Sequence, residues 1–236
     1  MNTLIVIPAR AGSKGIPGKN VKSLAGKPLI SYTLEYALKI KQKSDFICVT
    51  SDDPKVIEIA LSYGSQVSIL RRPNNLSTDK IGMSEVLLHA VVESEKNGFN
   101  FDKILLLQPT SPFRAIEDYF NLNELLIDTI DMVVSVKKSK INPYYNLFEE
   151  DESGLLNKCK EGNYVCRQDC PEVFEYNGSM YLAKKESFLI YGLHGLPKVK
   201  KMLMPDERSI DIDDNVDWLF AEAILGIQND SKNRKI

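Results

Sequence analysis

Short, mainly apolar runs recur along the chain at residues 4–7, 46–49, 67–70, 104–107 and 132–136. None alternates cleanly with polar residues. Continuous runs of this length fit strands buried on both faces of a mainly parallel sheet. Between them the apolar positions change to helical spacing. Pro28 can occupy the first turn of a helix that carries Leu29, Tyr32, Tyr36, Ala37 and Ile40. Asp53 and Pro54 form an N-cap and first-turn pair ahead of Val56, Ile57, Ala60 and Tyr63. Val86, Leu87, Val91 and Val92 mark a third helix, residues 116–127 a fourth, and Val216, Leu219, Phe220, Ala223 and Ile224 a last one over 216–227. Strand–helix alternation at this spacing predicts a layered α/β fold with right-handed crossovers. The alternation breaks over 139–173, a polar stretch with Asn142-Pro143, Gly154 and Gly162, which reads as an inserted arm on one domain spanning 1–236. A compact strand resumes at 179–182, and the polar tail from Asn229 is expected to fray.

Composition narrows the class. The 236 residues are 43% hydrophobic, enough for a sizeable core, and carry 30 Lys and Arg against 32 Asp and Glu. Without a broad basic field, nucleic acid and membrane surfaces are poor partners, and any anion site must be local. The first apolar run is too short for a secretory signal, so the expected location is the cytoplasm. The four cysteines are then expected to be free thiols. Cys166, Cys170 and a distant His194 lack the paired spacing of a zinc site.

Three segments carry chemistry. The first, from Pro8 to Asn20, follows the first strand and holds Arg10, Ser13, Lys14 and Lys19 among Gly12, Gly15 and Gly18. Open α/β sheets bind ligands at the carboxyl ends of their strands. Glycines there let backbone N–H groups approach phosphate, Arg10 can fork onto its oxygens, and the lysines act as point charges. The spacing matches neither GxGxxG nor GxxxxGK[ST], so a polyphosphate loop of another kind is indicated. The second segment, Leu107 to Arg114, opens onto the same edge. Its two prolines present Gln108, Thr110, Ser111 and Arg114 rigidly, a set suited to sugar hydroxyls or a carboxylate. The third is Ser209-Ile210-Asp211-Ile212-Asp213-Asp214. Alternation puts Asp211 and Asp213 on one face and the isoleucines on the other. Paired carboxylates repel unless a cation joins them, and Mg²⁺ favours one or two carboxylates plus substrate phosphates. A solvated turn that caps the last helix is the alternative.

Together these segments resemble the CMP-sialic acid synthetase (acylneuraminate cytidylyltransferase) family. Its pattern Ala-Arg-x-x-Ser-Lys-Gly-x-Pro-x-Lys-Asn stands from Ala9 to Asn20, and Leu-Gln-Pro-Thr-Ser-Pro-x-Arg from Leu107 to Arg114. Arg167-Gln168, Asn-Gly-x-x-Tyr from Asn177 to Tyr181, and Ser-Ile-Asp-Ile-Asp from Ser209 to Asp213 follow in order. The resemblance implies a three-layer nucleotidyltransferase fold with a mainly parallel, mixed sheet and a small dimerisation arm reaching the neighbouring subunit's site. It implies a nucleotide site of Ala9, Arg10, Ser13, Lys14, Lys19 and Asn20, with Arg72 on the cytosine side. Gln108, Thr110, Ser111, Arg167 and Asn177 would bind the acid sugar, and Asp211 and Asp213 the Mg²⁺. Arg10, Lys14, Lys19 and Asp211 would be catalytic. The expected reaction passes CMP from CTP to the anomeric hydroxyl of a nonulosonic acid and releases pyrophosphate. Asn142 to Asn146 stand where some sialic acid enzymes carry a lysine, which leaves the sugar open. Octulosonate cytidylyltransferases usually have a Ser-Thr-Arg loop in place of Ser13-Lys14-Gly15 and rank lower. A glycosyltransferase using Asp211-x-Asp213, or a non-catalytic nucleotide-binding module, are the other readings.

Overall fold

The structure is a computed structural model that describes residues 2–78 and 80–233. The strands are β1 Thr3–Pro8, β2 Ser23–Leu24, β3 Lys27–Pro28, β4 Phe46–Ser51, β5 Val67–Arg71, β6 Lys103–Leu107, β7 Met132–Lys138, β8 Phe148–Glu150, β9 Leu156–Lys158, β10 Phe174–Lys184 and β11 Val199–Leu203. The helices are α1 Leu29–Ile40, α2 Pro54–Leu61, α3 Met83–Lys96, α4 Ile116–Leu125, α5 Lys185–Tyr191 and α6 Asn215–Asn233. All five apolar runs are strands. Seven strands form one sheet in the order β11-β7-β10-β6-β1-β4-β5. Only β10 runs antiparallel to its neighbours β6 and β7; β1, β4, β5 and β6 pair in parallel, as do β7 and β11.

Both faces of the sheet are covered. Ile5 and Ile7 of β1 pack with α1, α2 and α4 through Leu34, Val56 and Leu122. Leu4 and Val6 point the other way, against Leu87 and Val91 of α3 and Phe188 of α5. The fold is therefore the three-layer α/β arrangement, with a mixed, mainly parallel sheet. Among the described residues no helix is long and apolar enough to cross a membrane.

Some elements depart from expectation. Pro28 caps α1 rather than entering its first turn. β10 is eleven residues long, and its first part carries exposed Glu175 and Tyr176, which hide it from an apolar pattern. β11 is an edge strand in which only Met202 is buried, so Val-Lys-Lys-Met-Leu never looks like a strand. α5 buries only Phe188. The β2–β3 hairpin turns on Ala25 and Gly26, both with positive φ (48° and 85°), the geometry that matches strand twist in a two-residue turn. α6 continues through the stretch expected to fray; residues 234–236 of that tail lie outside the described residues.

A third apolar cluster explains why the three chemical segments meet. Ile16 from the first, Phe113 from the second and Ile212 from the third are 1%, 8% and 0% exposed, packed with Leu24, Leu29, Trp218 and Ala221. Burying one such side chain stabilises by about 1.5–3 kcal/mol. α6 thus pins all three loops beneath the ligand edge of the sheet.

Candidate active site

At the carboxyl ends of β1, β5 and β6 a cleft of about 490 Å³ is lined by Arg10, Ser13, Lys14, Lys19, Asn20, Arg72, Gln108, Thr110 and Asp213. Nine of the residues singled out in the sequence therefore share one space. Ala9 lies beneath them, 1% exposed. Its carbonyl accepts from the Ser51 hydroxyl at 2.5 Å, while the Ala11 N–H donates to Asp52 at 2.8 Å. Ser51 and Asp52, at the end of β4, hold the phosphate-type loop in place. Their position at the same sheet edge was the available signal for this role. Asn20 donates to the Arg10 carbonyl at 3.1 Å, closing the loop on itself.

Arg72 is buried and donates to the Thr50 carbonyl and hydroxyl at 2.9 and 3.3 Å. Burial lowers its guanidinium to about 10, Asp52 opposes that shift and the Arg10 charge adds to it. Arg72 and Arg10 therefore lie within each other's field, as two cations do around one anion.

Lys19 is more constrained than a mobile phosphate ligand. Its ammonium donates to the Ile212 carbonyl at 2.6 Å and to Asp213 at 3.0 Å, and its side chain is only 10% exposed. It joins the first segment to the third. One of its three protons remains for a ligand. Gly15 is required at the same junction, since a Cβ there would overlap the Asp213 carbonyl oxygen.

The two aspartates occupy different environments. Asp213 is largely exposed beside Lys19. Asp211 is mostly enclosed, and burial pushes its carboxyl above the ordinary range; the Thr110 hydroxyl, Lys19 and Arg114 pull against this, and Asp213 adds to it. Asp211 Oδ1 and Thr110 Oγ1 are both buried without a hydrogen-bond partner of regular geometry. A buried, unsatisfied carboxylate oxygen costs free energy unless something binds it. Ile210 and Ile212 do pack against the same apolar cluster, as alternation requires. The helix-capping alternative falls to a neighbour. Asp214 accepts from the N–H groups of Val216 and Asp217, and Asp217 accepts from the N–H of Asp214, a reciprocal capping box. Asp214→Ala should therefore lower stability by about 1 kcal/mol and leave the cation dependence of turnover unchanged, which thermal melting and a Mg²⁺ titration would check.

Three expected substrate contacts sit elsewhere. Ser111 is 0% exposed, with its hydroxyl 3.5 Å from the Asn177 carbonyl. Asn177 is 2% exposed; its amide oxygen accepts from Ser135 (2.7 Å) and from the Ser179 N–H (3.2 Å), and its amide nitrogen donates to Ser209 (2.9 Å). Both side chains are buried and hydrogen-bonded inside the protein, away from the cleft lined by Gln108 and Thr110. Arg167 lines a separate cleft of the arm with Lys138, Asn142 and Gln168, so a single chain does not bring it to Gln108. Arg114, by contrast, does more than the sequence suggests. It is half-buried, donates to the Gln108 and Ser179 carbonyls at 2.5 and 2.8 Å, and so ties β6 to β10 behind the cleft.

Similarity to known proteins identifies the family. A family profile described as cytidylyltransferase matches residues 4–188. CMP-N,N'-diacetyllegionaminic acid synthase of Legionella pneumophila is 32% identical over 98% of this chain and 99% of its own length. N-acylneuraminate cytidylyltransferase of Escherichia coli is also 32% identical, over 97% of this chain and 53% of its own length. Pseudaminic acid cytidylyltransferase of Campylobacter jejuni is 28% identical over 98% of this chain and 99% of its own. Among solved structures, CMP:2-keto-3-deoxy-manno-octonic acid synthetase in complex with CTP superposes with a TM-score of 0.67 at 17% identity, covering 97% of this chain and all of that one. A 4-diphosphocytidyl-2C-methyl-D-erythritol synthase gives 0.68 at 12%, covering 95% and 98%; both are likenesses of fold. With sequence matches spanning the sheet, the cation-rich loop and the aspartate segment, this chain is a nucleotidyltransferase that belongs to the cytidylyltransferase family, in the group of CMP-nonulosonic acid synthetases.

Proposed function

We propose that the protein transfers CMP from CTP to the anomeric hydroxyl of a nonulosonic acid and releases pyrophosphate. The observation that carries this reading is the convergence of Arg10, Ser13, Lys14, Lys19 and Arg72 with Gln108 and Thr110 in one cleft. Arg10, Lys14 and Lys19 suit a triphosphate, and the neutral polar pair Gln108 and Thr110 in the same cleft suits a sugar. The sugar oxygen bonds to the α-phosphorus as the bond to pyrophosphate breaks. Such a displacement rests on positioning and charge neutralisation more than on protein covalent chemistry. Arg10 and Lys14 neutralise phosphate oxygens, Arg72 holds the cytosine side, and Gln108, fixed through its own backbone by Arg114, orients the acceptor.

The residues fit a Mg²⁺ ion. Asp211 offers an enclosed oxygen that makes no hydrogen bond of regular geometry, and Asp213 is within its field. Among the described residues no third carboxylate, histidine or cysteine joins them. The remaining ligands would be triphosphate oxygens and water, the mode Mg²⁺ prefers. When bound, it would supply charge neutralisation at the α-phosphate. The names of the relatives support a nonulosonic acid and differ on which one. Pyrophosphate release measured across CTP, UTP, ATP and GTP, each with a panel of nonulosonic acids and an octulosonic acid, tests the reading. Turnover confined to CTP with a nine-carbon acid supports it; equal turnover with the eight-carbon acid would replace the sugar assignment.

The same reading includes a cytoplasmic homodimer built through the arm. The arm exposes Tyr145, Leu147, Phe148, Leu155, Leu156 and Val165, the last 92% exposed. Apolar residues on a projecting polar segment suit a two-fold interface, and the partner's arm is the available source of Arg167 near Gln108. Light scattering at low concentration should report twice the chain mass. An active monomer would remove both the dimer and the shared site.

A further inference from the structure

Between Tyr176 and Tyr181 the pairing of β10 with β7 slips: four residues, 177–180, stand opposite Ser135 alone. Bulges of this kind re-aim side chains next to active sites. Here the Asn177 amide and the Met180 N–H join a network with Ser135 and Ser209, while the Ser179 hydroxyl is buried without a partner. Ser135, 0% exposed, accepts from the Met180 N–H at 2.8 Å and donates to Asn177 at 2.7 Å. Asn177 in turn donates to Ser209, two residues before Asp211. Gly178 adopts φ +69°, and a Cβ there would overlap Asp211 Oδ2. The Asp211 carboxylate therefore lies against the backbone of the bulge. The other side of the bulge reaches the second segment, because the Ser179 carbonyl accepts from the Gln108 N–H and from Arg114.

We infer that Asn177 and Gly178 are positioning residues: the bulge they form sets Asp211 beside Thr110, whose carbonyl accepts from the Ile212 N–H, and so fixes where the metal-binding carboxylate stands at the edge of the cleft. The inference rests on the metal role proposed above for Asp211. Asn177 holds the Ser209–Asp211 segment through a hydrogen bond from its amide to the Ser209 hydroxyl, and Gly178 provides the space for the carboxylate. Asn177 is 2% exposed and Gly178 has no side chain, so both act through Asp211.

The test uses Gly178→Ala and Ser209→Ala in the full-length protein, with Asp211→Asn as reference and Asp211→Ala,Gly178→Ala as a double variant. Turnover as a function of Mg²⁺, calorimetric binding of Mn²⁺ in the presence of CTP, and thermal melting are measured on each. Residues that orient metal ligands typically cost 10–100-fold in metal affinity or activity when changed. Gly178→Ala should weaken Mn²⁺ binding by about tenfold or more and lower kcat, with the KM for the acid sugar nearly unchanged. Ser209→Ala should do the same to a lesser degree, and it keeps the test open if Gly178→Ala folds poorly. In the Asp211→Ala background the added methyl no longer meets the carboxylate and only the strain of alanine at φ +69° remains, so Gly178→Ala should cause no further loss of Mn²⁺ binding and a smaller fall in melting temperature. Loss of melting temperature with Mn²⁺ binding intact in both single variants, or equal losses with and without the Asp211 side chain, would overturn the positioning role. If Asp211→Asn itself leaves Mn²⁺ binding unchanged, it is the metal assignment of Asp211 that fails.

Discussion

Asp211→Asn should lower kcat by about two to three orders of magnitude, the scale seen when one preorganised electrostatic contact to a reacting centre is removed. The asparagine keeps the volume, and the neighbouring Ile210 and Ile212 still pack beneath it, so the melting temperature should stay close to the parent's. Asp211 is the more demanding of the two aspartates because it is enclosed and its Oδ1 has the Thr110 hydroxyl beside it without a hydrogen bond of regular geometry. Asp213 is exposed and already shares Lys19, so Asp213→Asn should cost less and move the Mg²⁺ requirement upward. Steady-state kinetics across a Mg²⁺ titration, with melting curves on the same samples, checks both. Unchanged metal dependence with reduced stability would mean that the pair is structural.

Arg10→Ala and Lys19→Ala should both reduce kcat/KM for CTP, and they should differ in what else they do. A charge-assisted contact to phosphate is worth about 1.5–3 kcal/mol, or roughly tenfold to 150-fold in rate. Arg10 lines the open cleft, so its loss should appear in CTP kinetics with the fold intact. Lys19 also links the first segment to the Ile212 carbonyl and to Asp213. Removing its ammonium leaves a nearly buried carbonyl without its donor, so Lys19→Ala should also lower the melting temperature. Wild-type kinetics in both variants at subsaturating CTP would remove the phosphate assignment.

Much of this was legible in the sequence because the strands that carry the site are buried on both faces. Leu4 to Ile7 and Ile104 to Leu107 must be apolar throughout, and the loops that follow them therefore stand out as glycine, cation and proline segments at known positions. Edge elements left no such trace. β11 exposes four of its five residues, and the β2–β3 hairpin is too short to have a pattern. At the site, residue types that act on ligands were readable, and residues that act on other residues were not. Ser111 and Asn177 carry the same chemistry as surface ligands, and their burial, 0% and 2%, is not visible in local spacing. The roles of Asp52, Arg114, Ser135 and Gly178 depend on a bulge and on pairings across long stretches of chain, which local spacing does not reveal.

The central claim is that a sugar hydroxyl displaces pyrophosphate from the α-phosphorus of CTP. The most direct measurement supplies CTP and a nonulosonic acid labelled with ¹⁸O at the anomeric hydroxyl, and follows the label by mass spectrometry. The account predicts a CMP-sugar in which the labelled oxygen bridges sugar and phosphorus, with unlabelled pyrophosphate formed in equal amount. A CMP-sugar without the label, or consumption of CTP that yields labelled sugar unchanged and no conjugate, would contradict it.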